Sequence, residues 1–186
     1  MNLDDVIPHP RHRTCYRRVI GAPPPVVWEE LHRVTMSALP LGRALEGARL
    51  LPARIAGRKV PPLARLTFFD VTPVPVLSSD PPTAVIAAGL SQPWRLLGGS
   101  TPPSLDAAAV RASTTPGWVK VGMEYRLEAV SGGTLATIET RVVATDPRTD
   151  RAFAAYWFLI RAASGVIRRE LLRTVARRSE AMTDTA

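Results

Sequence analysis

Asp150–Arg178 reads DRAFAAYWFLIRAASGVIRRELLRTVARR, apolar on nearly every side in its first half and dense in arginine in its second. Three targets suit such a segment: a membrane, a nucleic acid, or the interior of its own protein. A bilayer span needs about 20 largely apolar residues, whereas the longest uncharged run here, Ala152–Ile160, ends at Arg161. It does not span. With successive residues about 100° apart, Phe153, Tyr156, Trp157, Ile160, Ala163, Ser164, Ile167, Leu171 and Val175 share one broad face, the stripe of a helix laid on a core. Arg169, Arg173 and Arg177 follow one another at i, i+4, i+8 on the far side and read as a solvated face. Upstream, Asp146 suits the N-cap and Pro147 the first helical position, where the amide that proline lacks has no helical partner anyway. The spacing predicts a helix over Pro147–Ala181, about 50 Å long at 1.5 Å per residue, with Gly165 as a point of bending. A rod of that length must lie across something broad.

The preceding residues supply it. Trp118–Val130 (WVKVGMEYRLEAV) and Thr134–Asp146 (TLATIETRVVATD) alternate with period two, and SGGT between them offers glycines for a hairpin turn. With Gly132 and Gly133 as the turn, Leu127 faces Ile138, Tyr125 faces Thr140, Met123 faces Val142 and Val121 faces Ala144, an apolar face almost throughout. The other face then pairs Arg126 with Glu139 and Glu124 with Arg141. A one-residue slip would mix the two faces.

Nearer the start, Arg13–Ile20 reads as a strand, and APPPVVWEELHRV as prolines leading into a short amphipathic helix on Val27, Leu31 and Val34. A second short helix is expected over Ser37–Glu46. The stretches ARLLPARIA (48–56), LTFFDV (66–71) and TAVIAAGL (83–90) read as strands, with Pro52, Pro73 and Pro75 marking edges or breaks. Ser91–Gly117 reads as a long loop with a helical turn in SLDAAAVRA. The order is α+β: strand, two short helices, antiparallel strands, then one long helix, met by a curved sheet wrapped around the terminal helix.

Composition sets the class. The chain has 186 residues, 46% of them apolar, and suits one domain over 1–186 with residues 1–10 flexible. Its net charge of +8 comes almost wholly from arginine, Lys59 and Lys120 excepted, a skew that coding bias explains as readily as a nucleic-acid partner. The single cysteine, Cys15, cannot form an internal disulfide, and MNLDDVIPHP lacks the pattern of a secretory signal, so a cytoplasmic location is expected.

Three stretches carry a family resemblance: VIGAPPPVVWEEL (19–31), GGTLATIETRV (132–142) and TDPRTDRAFAAYWFLIRAASGVIRRELLR (145–173). The chain resembles the START/Bet v 1-like superfamily, also called SRPBCC or polyketide cyclase-like, over nearly its whole length. That resemblance implies a helix-grip fold with a hydrophobic cavity between sheet and long helix. Members use such a cavity to carry lipids, sterols or polyketides, to sense hormones, or to cyclise aromatic substrates, so architecture is fixed better than activity.

The residues themselves argue for no catalytic constellation. His9, His12 and His32 form no metal set: the first two fall in the N-terminal segment, and His32 sits on a short helix with Glu29 as its i, i+3 neighbour. Cys15 is read as a small core or edge residue. No cofactor and no metal are expected. The cavity candidates are Met123, Tyr125, Thr140, Phe153, Trp157 and Ile160, which either line a ligand space or fill a core, with Phe69 and Trp94 placed to close the mouth. Tyr125 and Thr140 either hold a ligand oxygen or satisfy one another. Phe158, Leu159, Val166 and Leu172 fall outside the main stripe and pack either on loops or in a homodimer contact.

The favoured reading is a binding protein for a small hydrophobic or aromatic ligand, a lipid or polyketide-like metabolite. The alternatives are a cyclase or hydratase working through Tyr125 or another polar group of the cavity, and a module that presents Arg168, Arg169, Arg173 and Arg177 to an acidic partner.

Overall fold

The computed structural model describes residues 1–59, 62–95 and 104–183. Its centre is a curved, five-stranded antiparallel sheet in the order β1-β5-β4-β3-β2, built from β1 (His12–Ile20), β2 (Val76–Asp80), β3 (Ala84–Ser91), β4 (Val119–Val130) and β5 (Gly133–Ala144). Around it lie α1 (Leu3–Val6), α2 (Pro24–Arg33), α3 (Pro40–Ile55), α4 (Ala107–Ala112) and the 37-residue α5 (Pro147–Thr183). α5 crosses the inner face of the sheet against β1, β4 and β5, flanked by α2 and α3. This is the helix-grip arrangement expected from the sequence. Asp146 starts α5 as expected: its carboxylate accepts from the amides of Arg148 (2.9 Å) and Thr149 (3.0 Å), and also from Gly117 (2.7 Å). Those amides hold the Asp146 carboxyl far below the usual carboxylate range. The helix runs unbroken through Gly165. There a Cβ would stand 2.5 Å from the Tyr16 hydroxyl, so the glycine serves a close approach of β1 rather than a bend.

The hairpin forms, but two residues away from the predicted register. Val130 pairs with Gly133, which leaves Ser131 and Gly132 as the turn, so Tyr125 faces Ile138, Met123 faces Thr140 and Val121 faces Val142. Gly133 is a strand residue: its φ is 144°, and a Cβ there would come within 2.0 Å of the Ile20 carbonyl oxygen. It is glycine because β1 passes so close. An even shift keeps every side chain on its predicted face but dissolves the expected cross-strand ion pairs. Glu124 now stands opposite Glu139, and each finds arginine elsewhere: Glu124 takes Arg126 of its own strand, and Glu139 takes Arg141 and, at 2.8 Å, Arg13 of β1.

Two other expectations fail. The stretch 48–56 is not a strand but the second half of α3. Pro52 sits within the last turn of that helix, where its missing amide forfeits one hydrogen bond without stopping the chain. LTFFDV is not a strand either; Phe69–Val71 form a single 3-10 turn, tied by a Thr35–Thr67 bridge.

The outer face of the sheet is also covered. Leu3, Val6 and Ile7 are buried, and Val6 and Ile7 join Ala88 of β3 and Val110 of α4 in a second apolar cluster. Arg141 fixes the segment by pairing with Asp4 and donating to the Ile7 carbonyl (3.1 Å), so the residues expected to be flexible carry a docked helix. The long loop between β3 and β4 sends α4 to this outer side, and its residues 96–103 lie outside the described residues.

Candidate ligand-binding cavity

Between α5, α3 and the inner face of β4 and β5 the core leaves a cavity of about 150 Å³. The stripe of α5 supplies Phe153, Tyr156, Trp157, Ile160, Ala163, Ser164 and Arg168; the sheet supplies Val121, Met123, Thr140 and Val142. Met36, Phe68, Val71 and Thr72, from the segments flanking α3, complete the wall with Leu45, Glu46 and Arg49 of α3. α3 is held in place by Glu170 of α5, whose carboxylate accepts from the amides of Leu41 (3.0 Å) and Gly42 (2.7 Å). These belong to the first turn of α3, where amides lack helical acceptors and a negative charge is favoured.

Of the eight residues singled out in the sequence, Met123, Thr140, Phe153, Trp157 and Ile160 meet at this cavity, while Phe69, Trp94 and Tyr125 do not line it. Phe69 stacks on His32 (4.9 Å between centroids) and meets Tyr125 edge-on. Trp94 packs edge-on against Phe153 at 6.0 Å, and the neighbouring Pro93 reaches the wall in its place. Tyr125 faces a separate void of about 10 Å³ shared with Val27, Leu31 and Leu172. Leu172, off the main stripe of α5, is thus buried because α2 covers that flank, whereas Phe158 and Leu159 are exposed.

Tyr125 and Thr140 do not satisfy one another. The Tyr125 hydroxyl is buried with no hydrogen-bond partner among the described residues. Burial pushes its pKa up to about 12, with Arg168 and the Thr72 hydroxyl pulling the other way. At neutral pH it is a proton donor and not a base. Thr140 instead accepts from Arg168, whose Nη2 lies 2.8 Å from the Thr140 hydroxyl oxygen.

Arg168 is the residue that the sequence misplaced. Assigned there to the basic surface, it is 7% exposed and lines the cavity. Its Nη1 donates to the Ser164 carbonyl (3.2 Å), and its Nε has no partner. Burial lowers its pKa, with Tyr125 and Tyr16 opposing, yet a guanidinium stays charged at neutral pH even so. A helical wheel offered one hint, since Arg168 follows Ser164 by one turn on the flank of the stripe. By contrast Arg169, Arg173 and Arg177 are exposed, as expected.

The histidines do other work. His12 starts β1 and packs on Phe153 (5.2 Å) and Trp157 (5.3 Å), behind the cavity wall. Burial lowers its pKa, Arg11 acts in the same sense, and Asp150 opposes them. His32 is held by the Trp28 carbonyl (2.8 Å) between the Trp28 and Phe69 rings, while Glu29 pairs with Arg33. Cys15 is exposed. Among the described residues no group of three or more His, Cys, Asp or Glu side chains is placed to hold a metal, and no helix is long and apolar enough to cross a membrane.

No family model matches the chain, and no curated protein does. Among solved structures it is similar to TTHA0849 from Thermus thermophilus, with 13% identity over 92% of this chain and 99% of that one and a TM-score of 0.35. It is also similar to CalU16 from Micromonospora echinospora, with 18% identity over 91% of this chain and 84% of that one and a TM-score of 0.28. At scores this low neither likeness bears on what the chain does.

Proposed function

We propose that the chain is a START/Bet v 1-like binding protein that encloses a small hydrophobic or aromatic ligand between its sheet and α5. The observation that carries this reading is a mostly apolar-walled space of about 150 Å³ between the sheet and α5. Interiors normally pack to crystal density, and an engineered apolar cavity of similar volume in another protein binds benzene. The volume suits one aromatic ring or a short acyl chain rather than a long-chain lipid or a multi-ring polyketide. Catalysis through Tyr125 has less support, because its hydroxyl lies off the wall and stays protonated.

The test is thermal unfolding with a panel of single-ring and short-chain probes. A ligand at a hundred times its Kd adds about 2.7 kcal/mol, worth roughly 5–10 °C in a domain of this size. A panel that leaves the Tm unmoved at millimolar concentration overturns the reading.

A further inference from the structure

Resting on the cavity as a binding site, the structure also assigns the class of ligand. We propose that the cavity selects a small monocarboxylic acid, aromatic or short-chain, whose carboxylate pairs with the guanidinium of Arg168.

Buried arginines are ordinarily paired, because an isolated charge removed from water costs several kcal/mol. The other partly buried arginines here follow that rule: Arg141 has Asp4 and Glu139, and Arg49 has Glu46 at 3.2 Å. Arg168 is more buried than either, yet among the described residues no carboxylate lies within 4.0 Å of it. Its two contacts are neutral oxygens, those of Thr140 and Ser164, and its Nε is unpartnered. The positive charge therefore awaits an anion from outside the chain, in the one place where the wall of the cavity meets it.

Charge and shape narrow the anion. A single unpaired guanidinium balances one negative charge, and its planar fork matches a carboxylate with two parallel hydrogen bonds. A phosphate dianion would keep an uncompensated charge, since Arg49, the other arginine of the wall, is already paired with Glu46.

The experiment is isothermal titration at neutral pH with benzoate, phenylacetate and hexanoate against benzyl alcohol, 2-phenylethanol and 1-hexanol, using the wild type and Arg168→Met. The wild type should prefer each acid to its alcohol by about tenfold or more, and Arg168→Met should lose that preference while still binding the alcohols. The preference should also survive a rise from about 0.05 to 0.5 M salt, because a buried pair is poorly screened. Equal binding of acids and alcohols by the wild type overturns the assignment and leaves the cavity reading intact. So does an acid preference that persists in Arg168→Met or vanishes in salt, which would trace it to the exposed Arg169, Arg173 and Arg177. If no probe binds the wild type, both fall. Should Arg168→Met not fold, Arg168→Lys keeps the charge without the fork: acid affinity should drop several-fold, and an unchanged affinity overturns the assignment.

Discussion

Removing the charge at position 168 should leave the empty protein about as stable as before, and should stabilise it once Thr140 is made apolar too, whereas loss of a structural arginine destabilises. In Arg168→Met a buried cation without an ion-pair partner becomes an apolar side chain of similar length. Replacing buried charges by well-packed apolar groups gains about 1–4 kcal/mol in other proteins. Against that stands the loss of the hydrogen bond to Thr140, whose buried hydroxyl then lacks this donor, at a cost of about 1–3 kcal/mol. The Ser164 carbonyl keeps its place in the helix ladder and adds little. The single variant should therefore fall near neutrality, within about 1 kcal/mol of wild type. Adding Thr140→Val removes the orphaned hydroxyl and should bring the double variant to about 2 kcal/mol above wild type, or roughly 4–8 °C in Tm. Urea unfolding of the three proteins without ligand, compared at equal m-values, measures this directly. A double variant less stable than wild type by more than about 1 kcal/mol refutes the reasoning, because Arg168 would then be paired in a way that the structure does not contain.

Phe153, 1% exposed between His12, Trp94 and the cavity, should cost about 3–5 kcal/mol when replaced by alanine; a loss under about 1 kcal/mol in chemical denaturation would place it outside the core. Gly132→Asn should be nearly neutral in thermal unfolding, whereas Gly133→Ala should cost more than about 3 kcal/mol because its Cβ collides with the Ile20 carbonyl; similar effects at both sites would restore the two-glycine turn. Deleting residues 1–8 strips Leu3, Val6 and Ile7 from the outer face, each worth about 1.5–3 kcal/mol, and a truncated chain that melts like the full one would show the segment to be idle. His12 is held below its ordinary pKa by burial, so the unfolded chain binds its proton first as pH falls. Stability tied to this group is complete above about pH 6.5 and drains away below it; His12→Gln should flatten the slope of stability between pH 7 and 5, and an unchanged slope would assign it to other groups.

Periodicity made α5, the β4–β5 hairpin, β1, β3 and α2 legible, because each buries one face and its side chains must repeat at 3.6 or 2 residues. The register escaped by two residues, since period two cannot tell one even shift from another. Gly133 was spent on a tertiary approach of β1, which local sequence does not encode. Pro52 hid the second half of α3 by resembling a breaker where a final helical turn tolerates it. The outer-face cluster was missed because Leu3, Val6 and Ile7 are too few to carry a period. At the cavity, the apolar wall followed from the α5 stripe. Arg168 did not, for composition offers an arginine to solvent by default, and only the absence of a carboxylate beside it among the described residues shows that its charge is unbalanced.

The central claim is that the gap between the sheet and α5 is where a ligand sits, and amide chemical-shift mapping by NMR during titration with phenylacetate tests it most directly. Saturable shifts should gather at Met123, Thr140, Trp157, Ile160 and Arg168, leaving Val6, Val110 and the outer face unmoved. Shifts spread along Arg169, Arg173 and Arg177, or none that saturate, would contradict it.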